Sequence, residues 1–262
     1  MSLQHEIERG IFRIEVTTPR QNAEDLEARL QKFADQYNAV MAAGYMVCIT
    51  DNPMGHLSFQ GTDLITELGL PVKAGQLSLH LNTFHAKAEL HQILDQAGQL
   101  GVKEILVVSG DGNERLPRLQ PTALGMASQV VTAVELTAYI LKTFPGAFTL
   151  GVAFNPYEPQ GHELEKMRRK IEAGARFICT QPVIGRDERV RALSQFEVPV
   201  FVECWMSKKL HLLSECVGYP IPEDTPYNPM ENLKSLQSEY PGTGKYLAML
   251  GFKTQFPLLK DL

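Results

Sequence analysis

The feature that most constrains the fold of this chain is an alternation of short β-rich runs with segments of helical spacing, repeated about eight times. Several of these runs are almost continuously apolar, as expected of parallel strands covered on both faces. The eight predicted strands are 12–17, 45–50, 76–81, 104–109, 148–153, 177–180, 199–204 and 246–250. The alternation therefore predicts an α/β protein with a parallel sheet.

The segments between the strands carry apolar residues at steps of three and four, which predict amphipathic helices. In the first segment, Leu26, Leu30 and Phe33 begin such a stripe. The helices predicted in this way are 26–40, 62–68, 90–97, 126–141, 164–171, 187–196, 207–217 and 230–238.

Eight strand–helix units within 262 residues favour a closed (β/α)8 TIM barrel over an open sheet. The dinucleotide-binding pattern GxGxxG follows none of the predicted strands, which argues against the open Rossmann alternative. No linker or shift in composition divides the chain. We therefore expect residues 1–262 to form a single domain.

Charge and composition indicate which partners and which cellular compartment to expect. The net charge of −5 argues against a nucleic-acid partner. The N-terminus lacks the apolar core of a signal peptide, and no run of about eighteen apolar residues exists, so we expect a cytoplasmic protein without membrane contact. Four scattered cysteines without a CxxC pair suit reduced thiols and do not support a zinc site.

Polar residues follow almost every predicted strand, at the ends where barrel enzymes carry their active sites. In chain order they are Glu15, Thr50, Asp51, Asn52, His80, Asn82, Ser109, Asp111, Asn113, Asn155, Gln181 and Glu203. Taken singly, the Asp–Asn and Gly–Asp–Gly–Asn stretches are also ordinary turn sequences, and a histidine in an apolar strand is more often a core residue.

Two carboxylates within strands are harder to explain as turn residues. Glu15 and Glu203 lie in apolar runs, where a buried carboxylate costs several kcal/mol unless it is paired or protonated. A carboxyl group within a barrel wall is therefore a candidate general acid with a raised pKa.

Five segments together resemble the methylenetetrahydrofolate reductase family. KIEAGARFICTQ, which ends at Gln181, resembles that family's KVDAGAxFxITQ, and GVKEILVVSGD, which ends at Asp111, resembles GVxNILALRGD. FRIEVTTPR around Glu15, VCIT ending at Thr50 and HLNT beginning at His80 are similar to its SFEFFPPR, VSVT and HLTC. The five occur in the family's order and cover roughly the first 185 residues.

The resemblance implies a flavin-dependent oxidoreductase of one-carbon metabolism and methionine biosynthesis. Such an enzyme holds FAD and interconverts 5,10-methylenetetrahydrofolate and 5-methyltetrahydrofolate. By resemblance, Glu15 is the general acid that protonates N10 of the folate, Asp111 is a catalytic residue near flavin and pterin, and Gln181 contacts the folate substrate. The positions implied to contact the flavin are Thr50, His80, Ser109, Asp111, Phe154, Glu163 and Lys170.

The chain also departs from the family's pattern. Ser109 replaces the arginine of the family's RGD, which removes a cation expected near the flavin phosphates. Pro182 and Val183 stand where the family has phenylalanines, one of which stacks on substrate or nicotinamide. The reduced donor is therefore expected to be NAD(P)H or a partner electron carrier, and the chain could form a homo-oligomer or bind an electron-donating subunit.

Three functions remain open from the sequence. The first is the flavoenzyme, the second is a flavin-free folate-binding or methyl-transfer component, and the third is another barrel enzyme that shares only the scaffold. The second is motivated by Ser109 and the altered segment after Gln181, and the third by a C-terminal part, from about residue 185, that does not align with the family. In that part Lys208 and Lys209 either attract a folate glutamate tail or are solvated residues of a helix start.

Overall fold

The computed structural model describes residues 2–261 and confirms the predicted (β/α)8 barrel. Eight parallel strands close in chain order, each followed by helix. They are β1 (Arg13–Val16), β2 (Met46–Ile49), β3 (Leu77–Leu81), β4 (Glu104–Val107), β5 (Thr149–Phe154), β6 (Phe177–Thr180), β7 (Val200–Trp205) and β8 (Gly244–Ala248).

The helices follow the predicted apolar stripes in most places. They are α1 (Leu3–Glu8), α2 (Leu26–Ala42), α3 (Gly61–Glu67), α4 (Lys87–Gln99), α5 (Ala133–Thr143), α6 (Gln160–Glu172), α7 (Glu188–Arg191), α8 (Leu210–Val217), α9 (Pro229–Glu239) and α10 (Phe252–Gln255). On α4 the predicted stripe of Leu90, Ile93, Leu94 and Ala97 is buried. The hydrophobic core thus lies where these stripes meet the strands.

Contacts between residues are densest within two units of the chain. The N-terminal unit comprises Val16–Val152 and Arg169–Arg176. The C-terminal unit comprises the residues up to Glu15, Ala153–Arg168 and the residues from Phe177 onward. The expectation that residues 1–262 form one domain stays a prediction.

The predicted start of the fourth long helix at Met126 is wrong. The helix begins at Ala133, where Thr132 accepts a hydrogen bond from the backbone N–H of Val134 over 3.2 Å and Glu135 accepts one from the backbone N–H of Thr132 over 2.9 Å. This reciprocal arrangement satisfies backbone donors that a helix start otherwise leaves unpaired. The sequence contains the T-x-x-E pattern of this helix start, but the apolar residues before it extended the predicted helix towards the N-terminus.

Strand β8 begins two residues before the predicted start. Gly244 opens the strand, and a Cβ atom at that position would lie 2.2 Å from the ring of Phe201. Only glycine leaves room for that ring. The apolar pattern of the strand does not reveal this requirement, so the strand start was placed too late. The short helix α1 was not predicted either, since its residues alternate polar and apolar types without a clear stripe.

The structure gives the burial of the cysteines and the hydropathy of the helices. Cys48, Cys179 and Cys204 are buried thiols, and Cys216 is exposed. Across residues 2–261, no helix is long and apolar enough to cross a membrane.

Candidate functional site

The C-terminal unit carries three polar side chains on neighbouring strands, which we call the acid cluster: Glu15, Glu203 and Tyr246. Glu15 lies on β1, and its neighbours Ile14 and Val16 are buried on the opposite face. The Tyr246 hydroxyl on β8 donates a hydrogen bond to Oε2 of Glu15 over 3.1 Å. Glu203 on β7 is paired directly with Tyr246 in the sheet.

The acid cluster faces the interior of the barrel. Cys204, the residue after Glu203, faces outward, because its thiol lies 3.8 Å from the carbonyl oxygen of Pro229 and 3.5 Å from the amide nitrogen of Asn232, both on α9. Side chains alternate between the two faces of a strand, so Glu203 points inward. The register with Tyr246 places that tyrosine on the same face.

Loss of water controls the acidity of the cluster. Burial raises the pKa of Glu15, and the hydrogen bond from Tyr246 offsets part of that rise. Burial also raises the pKa of Glu203 well above its usual range, and the nearby charge of Glu15 raises it further. Two like charges with little water between them repel, so ionisation of one carboxyl group disfavours ionisation of the other. Both shifts favour the protonated form, which is the form that a proton donor needs.

A buried cation lies on the same face of β1, two residues before Glu15. The guanidinium of Arg13 binds the carboxylate of Glu6 on α1 through two hydrogen bonds of 2.7 and 2.8 Å. It also lies over the rings of Phe177 and Phe201, 4.8 and 3.7 Å from their centroids. Both charged side chains are about 2% exposed, so this ion pair joins α1 to the barrel wall.

A segment that we call the cap, residues 206–228, lies between β7 and α9 and contains α8. Its apolar residues pack on Trp205 and Ala248, the last residues of β7 and β8, and on Tyr157 and Ile184, which follow β5 and β6. The cap residues of this cluster are Leu210, Leu212, Leu213, Val217, Ile221 and Tyr227. The cap thus covers the C-terminal ends of β5 to β8, the side on which barrel enzymes bind substrate.

Trp205 anchors this arrangement. Its backbone carbonyl accepts a hydrogen bond from the Tyr227 hydroxyl of the cap. The indole Nε1 is buried, and it has no hydrogen-bond partner among the residues that the structure describes. Lys208 and Lys209, which follow this anchor, are exposed just before α8.

The N-terminal unit holds a different polar cluster at the ends of β2 and β3. Oδ2 of Asp51 lies 2.7 Å from Nε2 of His85 and accepts a hydrogen bond from the backbone N–H of Asn82 over 2.8 Å. The other ring nitrogen of His85, Nδ1, lies 3.3 Å from Oε2 of Glu89 on α4. This ion-paired arrangement ties the two loops after the strands to a helix.

The charge state of His85 follows from its neighbours. Burial disfavours the imidazolium and lowers the pKa of His85, but the hydrogen bonds and charges of Asp51 and Glu89 outweigh burial and raise that pKa to about 9. His85 is therefore a cation at neutral pH. Oδ1 of Asp51 is buried without a hydrogen-bond partner among residues 2–261.

The loop after β4 presents Ser109 and Asp111 towards solvent, and both are exposed. The carbonyl of Ser109 accepts a hydrogen bond from the Thr83 hydroxyl over 2.8 Å. Gly110 and Gly112 make this loop possible, because a Cβ atom at the first would lie 2.7 Å from Asn82 and one at the second 2.4 Å from Phe84. The space beside both glycines is therefore filled by the protein's own side chains.

Most of the other positions that the resemblance assigns to a flavin are buried. Thr50 is 6% exposed and its hydroxyl accepts a hydrogen bond from the backbone N–H of Thr18 over 3.1 Å. Phe154 is completely buried at the end of β5, and Lys170 is 8% exposed. His80 is half-buried on β3.

The carboxylate of Glu163 on α6 also makes hydrogen bonds within the protein. Its carboxylate accepts hydrogen bonds from the backbone N–H of Asn155 over 3.1 Å and from Nζ of Lys166 over 2.9 Å.

These contacts decide how well the chain fits FAD. Four of the implied contact side chains are buried. Asn82 and Phe84 fill the space beside Gly110 and Gly112, and Ser109 replaces the arginine expected near the phosphates. The burial of these side chains and the serine count against FAD, and the roles assigned to the implied residues stay predictions.

The predicted site residues are distributed over both units. Glu15, Phe154, Glu163 and Gln181 belong to the C-terminal unit, and Thr50, His80, Ser109, Asp111 and Lys170 belong to the N-terminal unit. Gln181 is half-buried, and its backbone N–H donates to the carbonyl of Phe154 over 2.7 Å. Of these residues, Glu15 is the one that the structure places in the acid cluster.

Sequence reasoning missed Tyr246 and His85 as partners of Glu15 and Asp51. A tyrosine within a predicted strand is ordinary, and only the register of β8 with β7 places it beside the two carboxyl groups. His85 lies in the loop after β3, where nothing in the local sequence points to Asp51. Within the described part of the chain, no group of three His, Cys, Asp or Glu side chains could hold a metal ion.

Comparison with known proteins adds a family assignment. Residues 3–201 match the model of the methylenetetrahydrofolate reductase family. No curated protein matches the chain by sequence.

Solved structures resemble the chain at low sequence identity. A protein from Clostridium thermocellum that binds two copies of 5-methyl-5,6,7,8-tetrahydrofolic acid is 13% identical with a TM-score of 0.62, covering 99% of this chain and 98% of that one. A 2,3-dimethylmalate lyase is 10% identical with a TM-score of 0.53 over 99% and 80% of the two chains. The 7,8-dihydropteroate synthase of Vibrio fischeri is 12% identical with a TM-score of 0.51 over 97% and 92%. At such identities these similarities show the fold alone.

Proposed function

The chain belongs to the methylenetetrahydrofolate reductase family, and on that premise we propose that it binds a reduced folate and donates a proton from Glu15 to one of its nitrogen atoms. The observation that carries the proposal is the acid cluster, in which a carboxyl group inside the barrel is hydrogen-bonded by Tyr246 and has a raised pKa. A general acid needs a proton at working pH and a fixed position; the raised pKa of Glu15 favours the first and its hydrogen bond with Tyr246 the second.

Protonation of a folate nitrogen serves either kind of one-carbon chemistry. In 5,10-methylenetetrahydrofolate, a proton on N10 weakens the bond to the bridging carbon and opens the five-membered ring. In 5-methyltetrahydrofolate, a proton on N5 makes the nitrogen a better leaving group for transfer of the methyl group. A carboxyl group with a raised pKa is suited to both steps, because it keeps its proton until the substrate takes it.

We favour a flavin-free folate-binding or methyl-transfer component over a flavoenzyme. The burial of Thr50, Phe154, Glu163 and Lys170 supports this choice, as does Ser109 in place of an arginine. The Clostridium thermocellum structure supports it as well, because that protein has the same fold and binds 5-methyltetrahydrofolate. We place Asp111 and Gln181 at the folate, and we expect the chain to act in the cytoplasm as one domain.

The second candidate is the flavin-dependent interconversion of 5,10-methylenetetrahydrofolate and 5-methyltetrahydrofolate, and membership of the family favours it. It requires FAD and a reduced donor, either NAD(P)H or a partner electron carrier.

One experiment separates the two candidates. The absorption spectrum of the freshly purified protein is recorded first, and binding of 5-methyltetrahydrofolate is then measured by calorimetry with and without added FAD. We expect a colourless protein that binds the folate equally well in both cases. A yellow protein that 5-methyltetrahydrofolate bleaches under anaerobic conditions would establish the second candidate, and absence of folate binding would reject both.

A further inference from the structure

Glu203 is a second carboxyl group inside the barrel, and the predicted general-acid role of Glu15 does not account for it. It is half-buried on β7, where its backbone N–H donates to the hydroxyl of Thr180 over 3.0 Å and its carbonyl accepts from the backbone N–H of Val183 over 2.9 Å. Its strand and that of Glu15 are separated by β8, which carries Tyr246. Tyr246 is thus paired with Glu203 in the sheet and hydrogen-bonded to Glu15.

We propose that Glu203 is a positioning residue that stays protonated beside Glu15 and, together with Tyr246, stabilises the carboxylate that Glu15 becomes when it donates its proton. The inference rests on the proposed function, because it assigns a second group to the same proton transfer. It is independent of which folate nitrogen receives the proton.

The surroundings of Glu203 favour its neutral form. The titratable groups that face it or adjoin it are Glu15 on β1, Tyr246 on β8, Cys204 on its own strand and Tyr157 after β5. None of these is a cation, and Tyr157 lies near enough to Glu203 for the charge of one group to affect the pKa of the other. Arg13, on the same face of β1 as Glu15, forms an ion pair with Glu6. Burial and the charge of Glu15 both raise the pKa of Glu203.

The proton transfer balances without any further reactant. The O–H bond of Glu15 breaks, an N–H bond forms on the folate, and the electron pair of the broken bond stays on Glu15 as a carboxylate. The Tyr246 hydroxyl then donates to a charged acceptor, and such bonds are stronger than those between neutral groups. A protonated Glu203 leaves Glu15 as the single charge of the acid cluster, whereas an ionised Glu203 would place two like charges together in the barrel.

The test follows the titration of the two carboxyl groups by NMR on the full chain labelled with ¹³C at the glutamate carboxyl carbons, without ligand. Glu15→Gln and Glu203→Gln assign the two signals. We expect both carboxyl groups to titrate above the ordinary range of a glutamate, Glu203 at a higher pH than Glu15. Tyr246→Phe removes the donor to Glu15 and should raise the pKa of Glu15 by about one to two pH units, the scale of a hydrogen bond to a charged group. Glu203→Leu removes a polar neighbour and should raise the pKa of Glu15 by less.

Two further comparisons keep the proposal testable if Glu203→Leu does not fold. Glu203→Gln keeps a neutral polar side chain at this position and should leave the titration of Glu15 nearly unchanged. Glu15→Gln removes the neighbouring charge and should lower the pKa of Glu203. Tyr240→Phe is the matched control, because it removes a buried tyrosine hydroxyl that contacts Gly185 and Asp187 instead.

An ionised Glu203 at neutral pH would overturn the inference, and so would a Glu15 titration that Tyr246→Phe or Glu203→Leu leaves unchanged. Folate binding is measured separately by calorimetry. A protein that shows the expected titrations but binds no folate would therefore reject the proposed function while retaining the electrostatic coupling.

Discussion

At the scale of single residues, the chain keeps a carboxyl group in a position that most strands give to an apolar side chain. Glu15 lies between two buried aliphatic neighbours and accepts a hydrogen bond from Tyr246. Burying a carboxylate without full compensation costs several kcal/mol, so a strand chosen for stability alone would not contain it. A functional use of its proton explains why the residue is there.

Glu15→Gln should keep the shape and hydrogen-bonding capacity of the side chain and lose its proton. We expect folate binding to remain within a few-fold and the folate-dependent turnover to fall by about 10²-fold or more, the scale of general-acid loss. Calorimetry gives the affinity, and single-turnover measurements give the rate. Equal losses in binding and rate would assign Glu15 to substrate binding.

His85 allows a prediction of stability against pH. Its pKa in the folded protein is about 9, above the ordinary value of 6.5 that applies in the unfolded chain. The folded state therefore holds the proton more tightly, and the resulting stabilisation is complete below pH 6.5 and is lost as the pH rises through about 9.

We expect His85→Gln to lower the free energy of unfolding by about 2–3 kcal/mol at about pH 6 and by much less at about pH 10. Urea denaturation at the two pH values measures the difference. His162→Gln is the control, since His162 is exposed on α6. A loss that is the same at both pH values would mean that packing, and not the charge of His85, provides the stabilisation.

At the scale of elements, α1 is attached to the barrel by one buried ion pair. Six residues are too few to form a stable helix alone, so contacts with the barrel must hold α1 in place. The Arg13–Glu6 pair provides such a contact, and Phe177 and Phe201 cover the guanidinium. Gly244 in turn makes room for the ring of Phe201. The position of α1 thus depends on residues far away in the sequence.

Glu6→Gln should remove the carboxylate that accepts two hydrogen bonds from the buried guanidinium of Arg13. We expect a loss of about 3–5 kcal/mol in the free energy of unfolding, the range found when one partner of a buried pair is removed. Glu8→Gln on the same helix is the matched control, because Glu8 is exposed and should change stability by less than about 0.5 kcal/mol. Equal effects of the two changes would contradict the role given to the pair.

The cap is the second element that the barrel pattern does not require. It places Lys208 and Lys209 in solvent next to the C-terminal end of β7. In a protein with a net charge of −5, two adjacent cations at that end are suited to an anionic ligand tail.

Changing both cap lysines to alanine should weaken binding of a polyglutamylated folate by about 10-fold and of the monoglutamate by much less, because only the longer tail carries several carboxylates. Raising the salt concentration should reduce the difference. Lys73→Ala with Lys103→Ala is the matched control, since these exposed lysines precede β3 and β4 at the opposite strand ends. The same effect from both pairs would show that only overall charge matters.

At the scale of the whole molecule, a ligand that binds only the folded chain raises its stability. We expect 5-methyltetrahydrofolate at about one hundred times its dissociation constant to add about 2.7 kcal/mol, which raises the melting temperature by about 5–10 °C for a chain of this size. FAD at the same concentration should give no shift. Thermal denaturation monitored by circular dichroism measures both, and a larger shift with FAD would favour the flavoenzyme.

The amino-acid sequence by itself determined the barrel. Hydrophobic periodicity is a local property, so it located eight strands and most of the helices, and the boundaries failed where a single contact decided them, as at Thr132 and Gly244. The segments around Glu15, Asp111 and Gln181 were also sufficient to identify the family, because they keep its motifs in order and spacing. A carboxylate inside an apolar strand was enough to single out Glu15.

Only the tertiary structure decided which groups Glu15 works with. The strands of Glu15 and Tyr246 are adjacent because the barrel closes β8 onto β1, across 231 residues of sequence. Burial raises the pKa of Glu15 and of Glu203, and burial exists only in the folded chain. The same is true of the contacts by which Asn82 and Phe84 fill the space beside Gly110 and Gly112. A local pattern gives the type of each element, whereas pairing and loss of water depend on residues that meet only after folding.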